Sequence, residues 1–102
     1  MSYVPKAKLL RSTDVFLPGG WRVVIKIWEI PSSKAERARV RYRLSLLSPS
    51  EERVLGYDNH HPKGDHRHLR GRQEIYQYKD PETMIRDFLY DVQSAVSEEE
   101  KL

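Results

Sequence analysis

Apolar positions recur every second residue through most of this chain, then switch near the C-terminus to the three- and four-residue spacing of a helix. From Arg37 to Leu47 the alternation is cleanest: Val40, Tyr42, Leu44 and Leu46 form one face, and Arg39, Arg41 and Arg43 form the other. Trp21 to Ile30 reads as a second strong strand, with Trp21, Val23, Ile25 and Ile27 opposite Arg22, Val24, Lys26 and Trp28. Before it, Leu9 to Leu17 predicts an irregular first strand, and Pro18-Gly19-Gly20 supplies the turn between the two. Pro31 to Glu36 is a loop. Ser48-Pro49-Ser50-Glu51 is the next turn, Glu52 to Tyr57 returns as a hairpin strand, and His66-Arg67-His68 opens another. Gln73 to Tyr78 predicts a short final strand whose Tyr76 and Tyr78 share a face.

The period changes at Asp80-Pro81-Glu82. Aspartate caps a helix, proline is tolerated at its first position, and glutamate suits the positive end of its dipole. Met84, Ile85, Phe88, Leu89, Val92 and Val96 then make one apolar stripe, with Arg86, Asp87, Asp91 and Gln93 outside it. The expected fold is therefore α+β: an antiparallel meander sheet of four to six strands, with one C-terminal helix packed on one face. Val23, Ile25, Tyr42, Leu44 and Leu46 would meet the helix in the core. Burial at about 1.5–3 kcal/mol per large side chain drives that packing. The opposite sheet face would stay open.

At 102 residues the chain is expected to form one domain, with residues 1–8 and 97–102 as loosely ordered tails. It has no cysteine, so disulfides and thiolate metal sites are excluded. That absence, with no apolar run near the roughly 20 residues of a membrane span and no signal-peptide pattern, predicts a cytoplasmic protein. Charge is uneven. Residues 1–78 carry 15 Lys/Arg against 8 Asp/Glu, whereas residues 79–102 carry 3 against 7. A basic body points to a polyanion, and nucleic acid is the commonest one. The arginines at 39, 41 and 43 repel one another, so the row calls for an anion; the alternative is a strand edge kept from aggregating by charge. With Arg22, Lys26 and Trp28 it composes a surface suited to single-stranded nucleic acid, where aromatics stack on bases and cations meet phosphates.

All four histidines fall between positions 60 and 68, in the run Tyr57-Asp58-Asn59-His60-His61-Pro62-Lys63-Gly64-Asp65-His66-Arg67-His68. Proline and glycine place a turn at its centre. In a strand beyond that turn, His66 and His68 share a face, and Asp65 and Arg67 point to the other. Asn59 reads as a turn residue, and His60 and His61 as exposed.

The elements Gly56-Tyr57-Asp58-Asn59 and Lys63-Gly64-Asp65-His66-Arg67-His68, then Gly71, Glu74, Tyr76 and Tyr78, and the helical Phe88-Leu89-Tyr90-Asp91-Val92, resemble the TumE-type toxins of prokaryotic toxin–antitoxin pairs. The resemblance runs from about Trp21 to Val92. It implies a cytoplasmic toxin neutralised by a small DNA-binding antitoxin, often of helix-turn-helix type.

Three kinds of chemistry fit these residues. The first is metal-independent RNA cleavage. His66 and His68 would act as acid and base, Lys63 or Arg70 as the phosphate cation, and Asp58 or Asp65 as the group orienting an imidazole. Arg67 and Arg70, beside the histidines, join the candidate RNA-contacting set, although Arg67 could instead pair with Asp65. This chemistry needs no cofactor. The second is a divalent metal held at the His66/His68 cluster. The third is a non-catalytic module that binds nucleic acid or a partner through the basic face.

Overall fold

The computed structural model describes residues 7–30, 39–59 and 64–101. Six strands, β1 (Lys8–Phe16), β2 (Arg22–Ile30), β3 (Arg39–Leu47), β4 (Arg53–Asp58), β5 (His66–Leu69) and β6 (Arg72–Ile75), precede one helix, α1 (Pro81–Glu100). The strands form a single antiparallel sheet in sequence order. Short connections make this the natural topology: each strand pairs with the one just made.

Register aligns the alternating patterns. Val23 faces Leu46, Ile25 faces Leu44, and Ile27 faces Tyr42. Leu44 in turn faces Tyr57, and Leu46 faces Leu55. All of these are buried beneath Met84, Phe88, Val92 and Ala95 of α1. The helix starts where its cap predicts: the Asp80 carboxylate accepts from the Thr83 N–H at 2.7 Å, and Pro81 occupies the first turn. It continues through Ser97 to Glu100, residues expected to lie in a loosely ordered tail. Leu89, expected in the apolar stripe, is 45% exposed, and the smaller Ala95 takes a place in the core.

Two departures from strict alternation shape the rest. First, β3 and β4 shift register between Leu46 and Leu47, so that Leu46 faces Leu55 but Leu47 faces Arg53. Val54 is thus the extra residue of a β-bulge. Val54 and Leu55 both enter the core, and Arg53, which strict alternation would put beside Leu55, is aimed at the open face. Second, β6 ends at Ile75, three residues short of the expected strand. Beyond it the tyrosines pack against rings of β3 and β4. Tyr76 sits 4.8 Å from the Tyr57 ring, and Tyr78 stacks on Tyr42 at 5.5 Å. Between β5 and β6, Arg70 and Gly71 both have positive φ (49° and 83°), as a two-residue hairpin turn demands.

Candidate functional site

The open sheet face is assembled by cross-strand register. Lys26 of β2 faces Arg43 of β3, Arg43 faces Asp58 of β4, and Asp58 faces His66 of β5. One pair along, Val24, Ser45, Gly56 and His68 line up in the same way. The structure therefore brings His66, His68, Asp58 and Arg43 onto one surface. The two imidazole rings lie 6.4 Å apart, tilted by 45°. His68 Nε2 is 3.4 Å from Asp58 Oδ2, an ion pair whenever the imidazole is protonated.

Arg53, whose place the alternation pattern does not reveal, completes this group. Its side chain lies across Gly56. Nε donates to Ser45 Oγ at 3.1 Å, and Nη2 donates to the Leu44 carbonyl at 3.3 Å and to Asp58 Oδ2 at 3.2 Å. Burial, and then the nearby charge of Arg43, pull its pKa below the usual guanidinium value, with Asp58 opposing. It remains a cation, as arginine does throughout the accessible pH range. The available signal was the glycine: an isolated glycine within a strand marks a close approach by another group.

Asn59 also has a different job from the turn residue expected of it. Its carboxamide accepts from the Tyr42 N–H at 2.9 Å and donates to the Val40 carbonyl at 2.7 Å. It thereby extends the β3–β4 ladder by one side chain beyond Asp58. Beside it opens a cavity of about 260 Å³ lined by Trp28, Arg41, Tyr42, Arg43, Asp58 and Asn59. Arg41 and Arg43 are exposed, and among the described residues neither has a carboxylate partner. Arg22 is different: it is paired with Asp14 at 2.6 and 2.8 Å and lies over the Phe16 ring. Lys26 donates to Ser12 Oγ. Arg39 begins β3. Its side chain, with Lys63, His60 and His61, lies outside the described residues.

Three further candidates sit on the helix face, away from the imidazoles. The Asp65 carboxylate accepts from the Tyr42 hydroxyl at 2.5 Å. Arg67 Nε donates to Asp91 Oδ2 at 2.8 Å, and Arg67 also bonds Glu74 across the β5–β6 pair. Arg70, in the turn, bonds Glu99 and lies 3.6 Å from Glu98. The last turn of α1 carries acidic residues and no basic ones, an unfavourable match to the helix dipole, and Arg70 supplies the missing cation. Asp65 and Arg67 thus share a face, as their spacing predicts, without pairing to each other. Asp87 and Asp91, expected on the outer helix surface, turn toward the sheet. Tyr76 donates to Asp87 at 2.6 Å and Tyr57 to Asp91 at 2.5 Å. Burial first, and then these carboxylates, push the phenols of Tyr42, Tyr57 and Tyr76 above their ordinary values.

The open face is where this molecule gathers chemistry. A larger depression of about 330 Å³, between α1 and the β1–β2 turn, is lined by Leu17, Val92 and Val96 among others, with Glu100 as its titratable group. No group of three or more His, Asp or Glu side chains is placed to hold a metal ion among the described residues. No described helix is long and apolar enough to cross a membrane.

A single antiparallel sheet, covered by one helix on one side and presenting cations, imidazoles and an aspartate on the other, defines a small α+β protein organised around one open sheet face. The family model described as Toxin TumE matches residues 6–96, and the chain belongs to that family. It is the toxin of a toxin–antitoxin system, and a cognate antitoxin is its partner. No curated protein and no solved structure matches the chain significantly.

Proposed function

We propose that this toxin is a metal-independent endoribonuclease that cleaves single-stranded RNA on the open sheet face. The observation that carries the reading is the shared face of His66 and His68, with Asp58 3.4 Å from His68 and Arg43 across the strand from Asp58. One imidazole takes the proton from a ribose 2′-hydroxyl, and the oxygen so released attacks the adjacent phosphorus. As that bond forms, the bond from phosphorus to the 5′-oxygen breaks, and the other imidazole protonates the leaving oxygen. Asp58 orients the His68 ring. Arg43 stabilises the charge that accumulates on the phosphoryl oxygens, a role in which Lys63 can assist. The RNA backbone follows Arg41 and Arg43, continued by Arg39, and a base stacks on Trp28. Arg22 and Lys26, already bonded on β1, contribute positive field more than direct contacts. Arg67 and Arg70 serve the helix side, consistent with their carboxylate partners.

An antitoxin of the helix-turn-helix class would mask this surface with acidic and apolar side chains, gaining association rate from complementary charge. An RNA substrate and a DNA-binding partner put the pair in the cytoplasm. The test is cleavage of single-stranded RNA by purified protein. His66→Ala and His68→Ala should each lower the rate by about 10²- to 10⁴-fold with the fold intact. Undiminished cleavage by the double variant would overturn the assignment.

A further inference from the structure

We propose that Arg53 is a positioning residue of this site, holding Asp58 toward His68, and that Gly56 is the gap in the sheet through which it does so. The role of the site as a whole rests on the RNA-cleavage reading above; the placement of Arg53 does not.

Three features converge on it. The Val54 bulge sends Arg53 to the open face, where uninterrupted alternation would have sent it into the core with Leu55. Gly56 then leaves its path clear. A Cβ on Gly56 would fall on the Arg53 guanidinium, well inside any real contact distance, so only glycine lets the side chain lie flat on the strand. Finally, the guanidinium finds a fitted set of acceptors: the Leu44 carbonyl, the Ser45 hydroxyl and the Asp58 carboxylate. Ser45 is itself buried, at 7% exposure. A half-buried cation is costly unless such partners are provided. Here a bulge, a glycine and a buried hydroxyl are arranged around one arginine.

The consequence falls on Asp58. Its Oδ2 atom meets both Arg53 Nη2 and His68 Nε2. Fixed by the guanidinium, the carboxylate cannot swing toward solvent, and the imidazole inherits its orientation. Second-layer groups of this kind act by holding a reactive group in its productive geometry. His68 is faced by Asp58 and Arg53 from β4, by His66 along its own strand, and by Gln73 across β6, while Arg43 stands opposite Asp58 on β3.

The experiment measures the side-chain χ1 couplings of Asp58 in the full-length protein by NMR at constant pH, in wild type, Arg53→Gln and Gly56→Ala. Removing or displacing the guanidinium frees Asp58 to turn away from His68. The Asp58 couplings should report a single rotamer in wild type and averaging among rotamers in both variants, while those of Asp65 stay unchanged. In an Asp58→Asn background, Arg53→Gln should no longer move the His68 ring resonances, as expected for groups that act through one another. Asp58 couplings that still report a single rotamer in Arg53→Gln, with the amide spectrum retained, overturn the proposal. Cleavage assays on the same proteins separate the two readings. Arg53→Gln should lower kcat by about 10- to 100-fold with KM within about twofold. An active wild type whose kcat survives that change also overturns the positioning role. A wild type that cleaves no RNA, with Asp58 averaging present in the variants, supports the Arg53 placement and removes the RNA reading alone.

Discussion

Asp58, Asp65, Asp87 and Asp91 divide into two sets with different tasks, and their partners decide which. Asp58 faces the open side between a guanidinium and an imidazole, whereas Asp65, Asp87 and Asp91 each accept from a tyrosine hydroxyl on the helix side. Alternation within β5 already separated Asp65 from the histidines, but nothing in the local pattern chose between Asp58 and Asp65 as the orienting group. That choice depended on cross-strand register. The tyrosine–aspartate pairs were hidden for a related reason: aspartates four residues apart beside an apolar stripe read as solvated until the facing phenols are known. These pairs predict behaviour in alkali. Tyr42, Tyr57 and Tyr76 have pKa values raised in the folded protein, so their contribution is fully present below the ordinary value of 10.0 and is lost as pH rises above it. Urea unfolding should show stability falling steeply from about pH 10, because the unfolded chain then releases protons that the folded chain retains. Tyr57→Phe should reduce that fall. A wild-type stability unchanged between neutral pH and pH 11 would contradict the assigned burial and bonding of these phenols.

At the level of elements, period and cap chemistry were legible from the chain. The strands, the meander and the helix start at Pro81 follow from alternation, from turn residues and from Asp80. The bulge was not legible, since Val54 and Leu55 are two adjacent apolar residues and either could have faced the core. Its effect is large: one inserted residue moves Arg53 from one face of the sheet to the other. The early end of β6 was equally hidden, because Tyr76 and Tyr78 keep a strand-like spacing while packing against Tyr57 and Tyr42. The cap carries its own prediction. Bonds from the Thr83 backbone and hydroxyl hold the Asp80 carboxyl below its ordinary value of 3.8. A depressed folded-state pKa means the contribution is present above 3.8 and fades as pH falls through the lower folded value. Asp80→Ala should therefore lower the melting temperature at neutral pH, and the gap from wild type should close in strong acid. A gap of constant size from pH 7 to pH 2 would show that the charge of the cap contributes nothing.

Across the whole molecule, one sheet carries two unlike surfaces. The helix side is closed by apolar packing and tyrosine–aspartate bonds, and Arg67 and Arg70 are drawn to it by Asp91, Glu74 and the acidic end of α1. The open side keeps Arg41 and Arg43 exposed beside the imidazoles. A basic body and an acidic C-terminal segment were visible in the sequence, but which arginines were already paired required the tertiary structure. The central claim is that His66 and His68 act on the ribose 2′-hydroxyl of an RNA bound to this face. Its most direct test is single-turnover cleavage in the presence of chelator, using an RNA and the same strand with one deoxyribose at the scissile position. The account predicts a 2′,3′-cyclic phosphate and a free 5′-hydroxyl from the RNA, and no cleavage at the deoxyribose. Cleavage of both strands at that position, or activity that vanishes with chelation, would contradict it.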